Sequence, residues 1–300
     1  MSDPKRVLRQ HAEAVRRLGV DFLPVQRGGI APHATPRAAA PSEEPAPEPR
    51  EKPGAFVEPK RPSASDPTIT SAVYEPEPLP EPVDASDRRA SAQLRLDAIR
   101  ARYESDAPHE QFPTDHTKIV FGEGDPCARL MFVGEAPGAE EDRLGRPFVG
   151  RSGQLLEKMI VAMGLSRESV YIANVLKVRP PDNATPTLEE ARVSSPYLYE
   201  QIRTIRPLAI VTLGRPAAQL LLETREAMGA LRGRWHELAI PDRVLLEGLP
   251  PMPGGLGEPG VIPVMPTYHP AFLLRSYTPE NRAKVWSDLQ NVMEKLGLGR

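Results

Sequence analysis

Four segments of the 300-residue chain carry side chains suited to chemistry on a planar, polar ring. They are the glycine-bounded turn at residues 134–138 (GEAPG), the Pro/Gly-rich loop around Phe148, Asn174 near the end of an apolar run, and His269 before a proline. An aromatic ring offers a stacking face, an amide offers one acceptor and two donors, and histidine or carboxylate groups stabilise charge or move protons. Together these residue types predict a site that stacks on, reads and polarises a base.

Each segment also has a purely structural interpretation. The glycines could form a plain tight turn, Phe148 could fill a small core, Asn174 could cap a strand end, and a lone histidine such as His269 is usually structural. The turn is also a poor dinucleotide-binding fingerprint, because it lacks the third glycine of GxGxxG. Because all four segments are expected at the ends of strands, a functional site is favoured over these structural interpretations.

Apolar runs and helical periodicity alternate along the chain after residue 87. Buried strands are predicted at residues 128–134, 170–176, 208–214 and 261–270, and helices at residues 87–103, 152–165, 185–205, 215–223 and 279–297. This alternation predicts an α/β fold, a three-layer sandwich with a central, mostly parallel four-stranded sheet flanked by helices. Because ligands bind beyond the carboxyl ends of such strands, the four segments are expected on one rim.

Composition divides the rest of the chain. Residues 1–23 are predicted to form a short amphipathic helix, residues 24–86 a disordered Pro-rich linker, and residues 87–300 the functional domain. Residues 3–23 could bind a protein partner or could be a solvated tail without function. The segment 239–260 has the composition of a loop and is assigned no chemistry.

Charge and cysteine content narrow the class of protein. The formal net charge is -2, so any nucleic-acid binding has to come from a local basic face. The chain shows no signal-peptide pattern and no apolar stretch of about 20 residues, which predicts a cytoplasmic protein, and a monomer is expected. The single cysteine, Cys127, excludes an internal disulfide and any multi-cysteine metal site within one chain.

Five segments together resemble the family 4 uracil-DNA glycosylases, part of the wider uracil-DNA glycosylase superfamily. They are residues 121–160, 171–191, 205–222, 231–237 and 267–275, and they include GEAPG, GRPFVG, NVLKVRPP and TYHPAFLLR. These segments span nearly all of the domain and none of the first 85 residues. The resemblance implies a DNA repair enzyme that flips uracil out of the helix and hydrolyses its N-glycosidic bond, leaving an abasic site.

The resemblance also implies roles for individual residues. Those that match the uracil pocket of the family are Glu135, Ala136, Pro137, Gly138, Glu141, Phe148 and Asn174. Phe148 is expected to stack on uracil, Asn174 to read its edge, and Glu141 to help exclude the thymine methyl group. His269 is expected to stabilise the departing uracil anion, and Glu135 is the favoured carboxylate for positioning water or stabilising the sugar cation.

Contact with uracil-containing DNA, the expected partner, is predicted for Lys177, Arg179, Leu273, Leu274 and Arg275. The HPAFLLR loop is similar to the family segment that enters the duplex near the flipped nucleotide. It would supply Leu273 or Leu274 as a wedge and Arg275 as a phosphate contact.

The family usually carries a [4Fe–4S] cluster on four cysteines, and this chain has none of the four. The matching positions are a CxxC at about residues 107–110, which here reads APHE, together with Val178 and Ser194, while Cys127 matches none of them. Because such clusters need thiolate ligands, no cofactor is expected. The cluster of the family lies far from the pocket, so its loss does not by itself remove the chemistry.

Two other classes of function stay open at this point. The chain could be a catalytically inactive DNA-binding relative of the same fold, although a pure binder has no need of Phe148, Asn174 and His269 together. It could also be a nucleotide-binding α/β protein that acts on small ligands. The HPAFLLR loop and the basic residues expected at the pocket rim favour DNA over a small ligand.

Overall fold

The computed structural model describes residues 84–240, 246–252 and 260–298. Its strands are β1 (Glu123–Gly124), β2 (Leu130–Gly134), β3 (Tyr171–Asn174), β4 (Ala209–Leu213), β5 (His236–Leu238) and β6 (Ile262–Thr267). In the described residues they form one sheet in the order β1-β3-β2-β4-β6-β5. The four inner strands are parallel to one another, and each edge strand pairs antiparallel with its neighbour.

Helices connect and cover these strands. They are α1 (Ala85–Asp106), α2 (Ala139–Leu144), α3 (Arg151–Ala162), α4 (Leu188–Ile205), α5 (Arg215–Leu221), α6 (Met228–Leu231), α7 (Pro270–Arg275) and α8 (Pro279–Leu296), with 3-10 turns at Pro108–Gln111, Arg167–Ser169 and Pro181–Asn183. The two longest helices after α1 begin where their sequences dictate. Thr187 caps α4 and Thr278 caps α8, each by accepting the amide hydrogen bond of the residue three positions ahead.

Apolar side chains alternate between the two faces of the sheet and fill a core on each. Met131 and Val133 of β2 point into the layer that contains α1 and α4, while Leu130 and Phe132 point into the layer that contains α3 and α8. This period of two is what a strand covered on both faces requires. The alternation builds the three layers, and the parallel pairing of the inner strands brings their carboxyl ends to one edge.

The predicted α/β sandwich is confirmed, including the four parallel strands at its centre. The predicted strand number was too low, because β1 and β5 have only two and three residues and pair antiparallel at the edges. Such short strands show no periodicity of their own and are stabilised by their neighbours. The predicted N-terminal helix and nearly all of the linker lie outside the described residues.

The register of the sheet sets the position of the candidate side chains. Gly134 at the end of β2 is paired with Asn174 at the end of β3, and Leu213 of β4 with Thr267 of β6. The residues that follow these four positions therefore emerge at one rim. No helix in the described part of the chain combines the length and apolar character needed to cross a membrane.

Candidate active site

The turn after β2 is fastened to the Phe148 loop by one carboxylate. Glu141 Oε2 accepts from the Gly138 amide at 3.2 Å, and Glu141 Oε1 accepts from the amides of Val149 and Gly150 at 2.9 and 2.8 Å. Hydrogen bonds from amides to an ionised carboxylate are among the stronger ones in proteins. Glu141 is thus a structural clamp of the site, while its expected role against the thymine methyl group stays a prediction.

Phe148 has a backbone conformation that is rare for a residue with a side chain. Its φ is +50°, in the left-handed region, and its ring is buried. Arg167 donates to the Phe148 carbonyl oxygen at 3.0 Å and also to the carbonyl oxygen of Pro147. A Cβ at Gly153 would lie 1.9 Å from the Phe148 carbonyl oxygen, so only glycine fits there. Surrounding contacts of this kind are what keep a strained residue in place at a ligand site.

Asn174 presents a buried acceptor that is not used within the protein. Its side chain is 1% exposed, and Oδ1 has no hydrogen-bond partner among the described residues. A Cβ at Gly134 would lie 2.3 Å from this oxygen and 2.4 Å from Phe148 Cζ, so the glycine lets the amide and the ring approach each other. A buried acceptor without a partner is costly unless a ligand or water satisfies it. Asn174 Oδ1 therefore has the properties of an acceptor that recognises a ligand through a hydrogen bond.

His269 follows β6 and caps the short helix α7. Its Nδ1 accepts from the Ala271 amide at 3.0 Å, which leaves the proton of the neutral imidazole on Nε2. Burial, assisted by the positive charge of Arg275, lowers the pKa of His269 to about 4. The imidazole ring lies 5.6 Å from the Phe148 ring, centroid to centroid, at an angle of 32°. The site thus holds a neutral histidine next to the aromatic ring of Phe148, with its Nε2–H as a hydrogen-bond donor.

Glu135 lies directly after β2 and is partly buried. Burial raises the pKa of its carboxyl group, while a hydrogen bond with Thr185 and the positive charges of Arg215 and Arg275 act in the opposite direction. A carboxylate that is partly desolvated and also flanked by cations can hold a water molecule or stabilise a nearby cation.

These segments meet at one open cleft of about 490 Å³. The predicted residues that line it are Glu135, Ala136, Pro137, Gly138, Glu141, Phe148, Asn174, His269 and Arg275. The cleft thus brings together the residues expected to bind the base and the expected phosphate contact.

The cleft also contains residues that no sequence motif indicated. Arg151 and Ser152 contribute from the start of α3, and the loop at residues 180–185 contributes Asn183 and Thr185. The loop carries the turn-forming sequence PPDNAT, and Asp182 and Asn183 both have a φ of +53°. That turn signal was visible in the sequence, but nothing in it indicated that the loop folds over the end of β3.

Lys177 was predicted to contact DNA, and this prediction was wrong. Its side chain is fully buried, and its Nζ donates to the Asn174 carbonyl oxygen at 2.8 Å and to Gln201 Oε1 at 2.6 Å. A lysine whose ammonium group is buried and hydrogen-bonded inside the domain cannot contact a phosphate at the surface. Arg179, two residues later, is only partly buried and donates to Asn183 Oδ1 at 2.8 Å.

The two leucines of the HPAFLLR segment differ in exposure. Leu273 is fully buried in the core beside α3 and α8, which rules it out as a wedge. Leu274 is 36% exposed, and Arg275 is exposed at the cleft. Of the two candidates for a wedge, only Leu274 is available at the surface.

The positions that match the cluster cysteines of the resembled family do not fit an iron–sulfur cluster. Val178 and Ser194 are fully buried. At residues 107–110, the His109 ring lies 5.5 Å from the Tyr103 ring, which in turn lies 4.9 Å from the Tyr197 ring, centroid to centroid. Among the described residues, no group of three or more Cys, His, Asp or Glu side chains could hold a metal ion. At these positions the chain thus has buried apolar and aromatic side chains rather than thiolate ligands.

Comparison with known proteins identifies the family. Residues 121–290 match the profile of the uracil DNA glycosylase superfamily. A type-4 uracil-DNA glycosylase of Thermotoga maritima is 40% identical over 177 residues, which are 59% of this chain and 82% of that protein. A type-4 uracil-DNA glycosylase of Saccharolobus solfataricus is 41% identical over 182 residues, 59% of this chain and 76% of that protein. A type-5 uracil-DNA glycosylase of Pyrobaculum aerophilum is 38% identical over 115 residues, 33% of this chain and half of that protein.

Proposed function

Because this chain belongs to the uracil DNA glycosylase superfamily, we propose that its cleft excises uracil from DNA by hydrolysing the N-glycosidic bond. The observation that carries this proposal is the buried Oδ1 of Asn174, which lies near the rings of Phe148 and His269 and has no hydrogen-bond partner in the part of the chain that the structure describes. The amide can pair with the edge of a pyrimidine, and the phenyl ring can stack on its face. The neutral imidazole can stabilise the negative charge that develops as the base leaves.

Asn174 would give the site its choice of base. Its Oδ1 would accept from uracil N3–H while its amide nitrogen donates to O4. Cytosine presents an acceptor at N3 and an amino donor at C4, so the same amide orientation would leave both pairs mismatched. Rejecting a ligand that leaves buried polar groups unpaired is an effective form of discrimination.

His269 would stabilise the leaving uracil. Breaking the bond places negative charge on the base, and the Nε2–H of His269 would donate a hydrogen bond to uracil O2 as that charge develops. The lowered pKa keeps the imidazole neutral at neutral pH, so the ring acts as a neutral hydrogen-bond donor through Nε2–H. The hydrogen bond from Ala271 fixes the tautomer that this role requires.

Glu135 would act on the sugar side. Its carboxylate lies in the same cleft as Asn174 and His269, and its interaction with Thr185 fixes one oxygen. As positive charge builds on the deoxyribose, the carboxylate would hold the attacking water and stabilise that charge. The scissile bond would then lie between His269, which stabilises negative charge on the base, and Glu135, which stabilises positive charge on the sugar.

Access to uracil in a duplex requires the nucleotide to leave the stack. Leu274 is the apolar side chain exposed beside the cleft, and Arg275 and Arg151 line its opening. We propose that Leu274 occupies the space left by the flipped nucleotide and that the two arginines contact neighbouring phosphates. A net charge of -2 does not oppose this arrangement, because such contacts need only a local cluster of cations.

This activity would need no metal or cluster. The side chains that would bind and polarise the base are present in the cleft, and the positions matching the family cluster hold no cysteine. Each proposed step is assigned to a side chain of this protein.

Release of free uracil from synthetic DNA tests the proposal. The full-length protein is incubated with single-stranded and with U:G duplex oligonucleotides in the presence of a chelator, and free base is measured together with abasic sites. Matched oligonucleotides with thymine or cytosine in place of uracil are the controls. Release of uracil alone supports the proposal, and no release from either uracil substrate at enzyme excess overturns it.

A further inference from the structure

Lys177 occupies an environment in which a lysine is rarely found. It is fully buried, and its Nζ contacts the Asn174 carbonyl oxygen at 2.8 Å, Gln201 Oε1 at 2.6 Å and the Phe121 ring at 5.6 Å from the centroid. Among the described residues, no carboxylate pairs with it. The Lys177 ammonium is therefore held by a carbonyl, an amide and an aromatic face.

The partner amide has a fixed orientation of its own. Gln201 Nε2 donates to the Phe121 carbonyl oxygen at 3.0 Å and to the Tyr171 hydroxyl at 3.3 Å, so Oε1 is the atom left to face Lys177. The backbone of Lys177 is tied as well, because its carbonyl oxygen accepts from the Val120 amide at 2.7 Å. Lys177 thus forms a rigid link between α4 and the end of β3.

Such a placement is energetically unfavourable. Burying an ammonium group without a carboxylate is costly, and an apolar side chain of similar volume would fill the space with less loss of solvation. The group nevertheless lies one hydrogen bond away from the residue that reads the base. A role in the neighbouring cleft explains this buried charge better than a role in core packing does.

We infer that Lys177 is a positioning residue for base recognition, which fixes the Asn174 backbone so that its amide faces the cleft and places a positive charge behind the reading edge. This inference rests on the proposed function. Negative charge develops on the leaving base, and a fixed charge in a low-dielectric surrounding acts on it more strongly than one in water.

Protonation of Lys177 provides a second readout. Burial lowers its pKa to about 7. The groups that face it are the Asn174 carbonyl of β3, the Phe121 ring, and Gln201 of α4, through which it reaches Tyr171; burial raises the pKa of Tyr171, so that hydroxyl stays neutral. The ammonium form exists below about pH 7 and is lost above it, so the contribution of Lys177 should decline as the pH rises through that value.

The test compares Lys177→Met with Lys158→Met, which removes an exposed lysine of α3. Single-turnover rates of uracil release are measured across the pH range from both sides of 7. Lys177→Met is expected to lower the rate by about 10- to 100-fold, the range for loss of a hydrogen bond from a charged donor. It should also remove the decline in rate centred near the pKa of about 7, while Lys158→Met keeps the wild-type rate and profile.

Two observations keep failure of this inference separate from failure of the proposed function. If wild type releases no uracil, the proposed function fails, and the Asn174 side-chain amide signal is followed instead by ¹⁵N NMR. That signal should shift with pH around the Lys177 pKa of about 7 in wild type and should be displaced and insensitive to pH in Lys177→Met. If wild type is active but Lys177→Met has an unchanged rate and pH profile, or if the Asn174 signal is the same in both proteins, the inference is overturned.

Discussion

Arg167 donates from Nη1 to the carbonyl oxygen of Phe148 at 3.0 Å, and so a buried guanidinium supports the backbone of the residue whose phenyl ring lines the cleft. The supported residue has a φ of +50°, which costs on the order of 1 kcal/mol for a residue with a side chain. Arg167 also pairs with Glu123, which in turn pairs with Arg146 at 2.8 Å. The ring position thus depends on an ion-pair network that lies outside the cleft.

Removing this support should affect catalysis as if the ring itself were lost. We expect Arg167→Met to lower the rate of uracil release about as much as Phe148→Ala does, roughly 10- to 100-fold from lost stacking. Arg146→Met is the matched control, because it breaks a pair with the same Glu123 but does not contact Phe148. Single-turnover kinetics measure the effect, and equal rates for the two arginine variants would contradict it.

His269 should affect the rate far more than DNA binding. Loss of a donor to a developing anion typically lowers a rate by about 100- to 1000-fold, and we expect His269→Ala to fall in this range. Because the base is only one part of the contact with DNA, binding of a uracil-containing oligonucleotide should weaken several-fold at most. Kinetics at enzyme excess and fluorescence anisotropy separate the two quantities. A variant that loses binding and rate in proportion would show that His269 does not act on the transition state.

The same histidine predicts how stability depends on pH. The folded protein keeps His269 neutral down to a pKa of about 4, whereas its ordinary value is 6.5. Between these values the unfolded chain binds the proton more readily, so this contribution is complete above 6.5 and is lost as the pH falls toward 4. Urea denaturation of wild type and His269→Asn at several pH values measures it. The free energy of unfolding should fall less steeply in the variant, and parallel curves would refute the assignment.

The two neighbouring leucines of α7 should respond in opposite ways. We expect Leu274→Ala to slow release from U:G duplex several-fold, to leave release from single-stranded DNA unchanged, and to alter stability by about 0.5 kcal/mol at most, as for a surface position. Leu273→Ala should instead destabilise the protein by about 2–5 kcal/mol through the cavity that it opens. Thermal or urea denaturation and the ratio of the two rates test this pair, and equal behaviour of the two variants would argue against a wedge at Leu274.

Purification without oxygen tests the expectation about the cluster. The protein should be colourless, without a visible charge-transfer band and without stoichiometric iron, because thiolate ligands are required and the chain has one cysteine. A protein with a four-cysteine [4Fe–4S] site, purified in parallel, serves as the control for cluster retention. Iron bound in proportion to protein, or activity that a chelator abolishes, would contradict the expectation.

The contrast between predicted and observed positions has a physical origin. Asn174 and His269 could be placed from sequence, because each follows an apolar run and parallel strands end at one rim. The burial of Lys177 could not be predicted from the sequence, because it depends on Gln201, which lies 24 residues away on another element. Leu273 and Leu274 are chemically identical, and only the packing of α7 distinguishes them.

The edge strands and the loop at residues 180–185 could not be placed from the sequence, for a related reason. β1 and β5 are too short to show alternation, and they exist because β3 and β6 offer unpaired backbone groups. The 3-10 turn Pro181–Asn183 shows its turn chemistry in the sequence, but its position over the cleft depends on a backbone contact between Asp115 and Arg179. Local patterns thus predicted the elements, whereas contacts between distant segments determined which side chains reach the cleft.

Base choice should follow the amide of Asn174. Asn174→Asp replaces the donor to uracil O4 with a second acceptor, so we expect release of uracil to fall by roughly 100-fold or more, as when a buried polar contact is left unpaired. A protonated aspartic acid can donate to cytosine N3, so the variant should also lose part of its preference for uracil over cytosine. Asn183→Asp is the matched control, since Asn183 lines the same cleft but is exposed and already accepts from Arg179. Rates on uracil and cytosine substrates, measured across pH, decide the matter: an Asn174→Asp protein with wild-type rate and selectivity would show that another group reads the base.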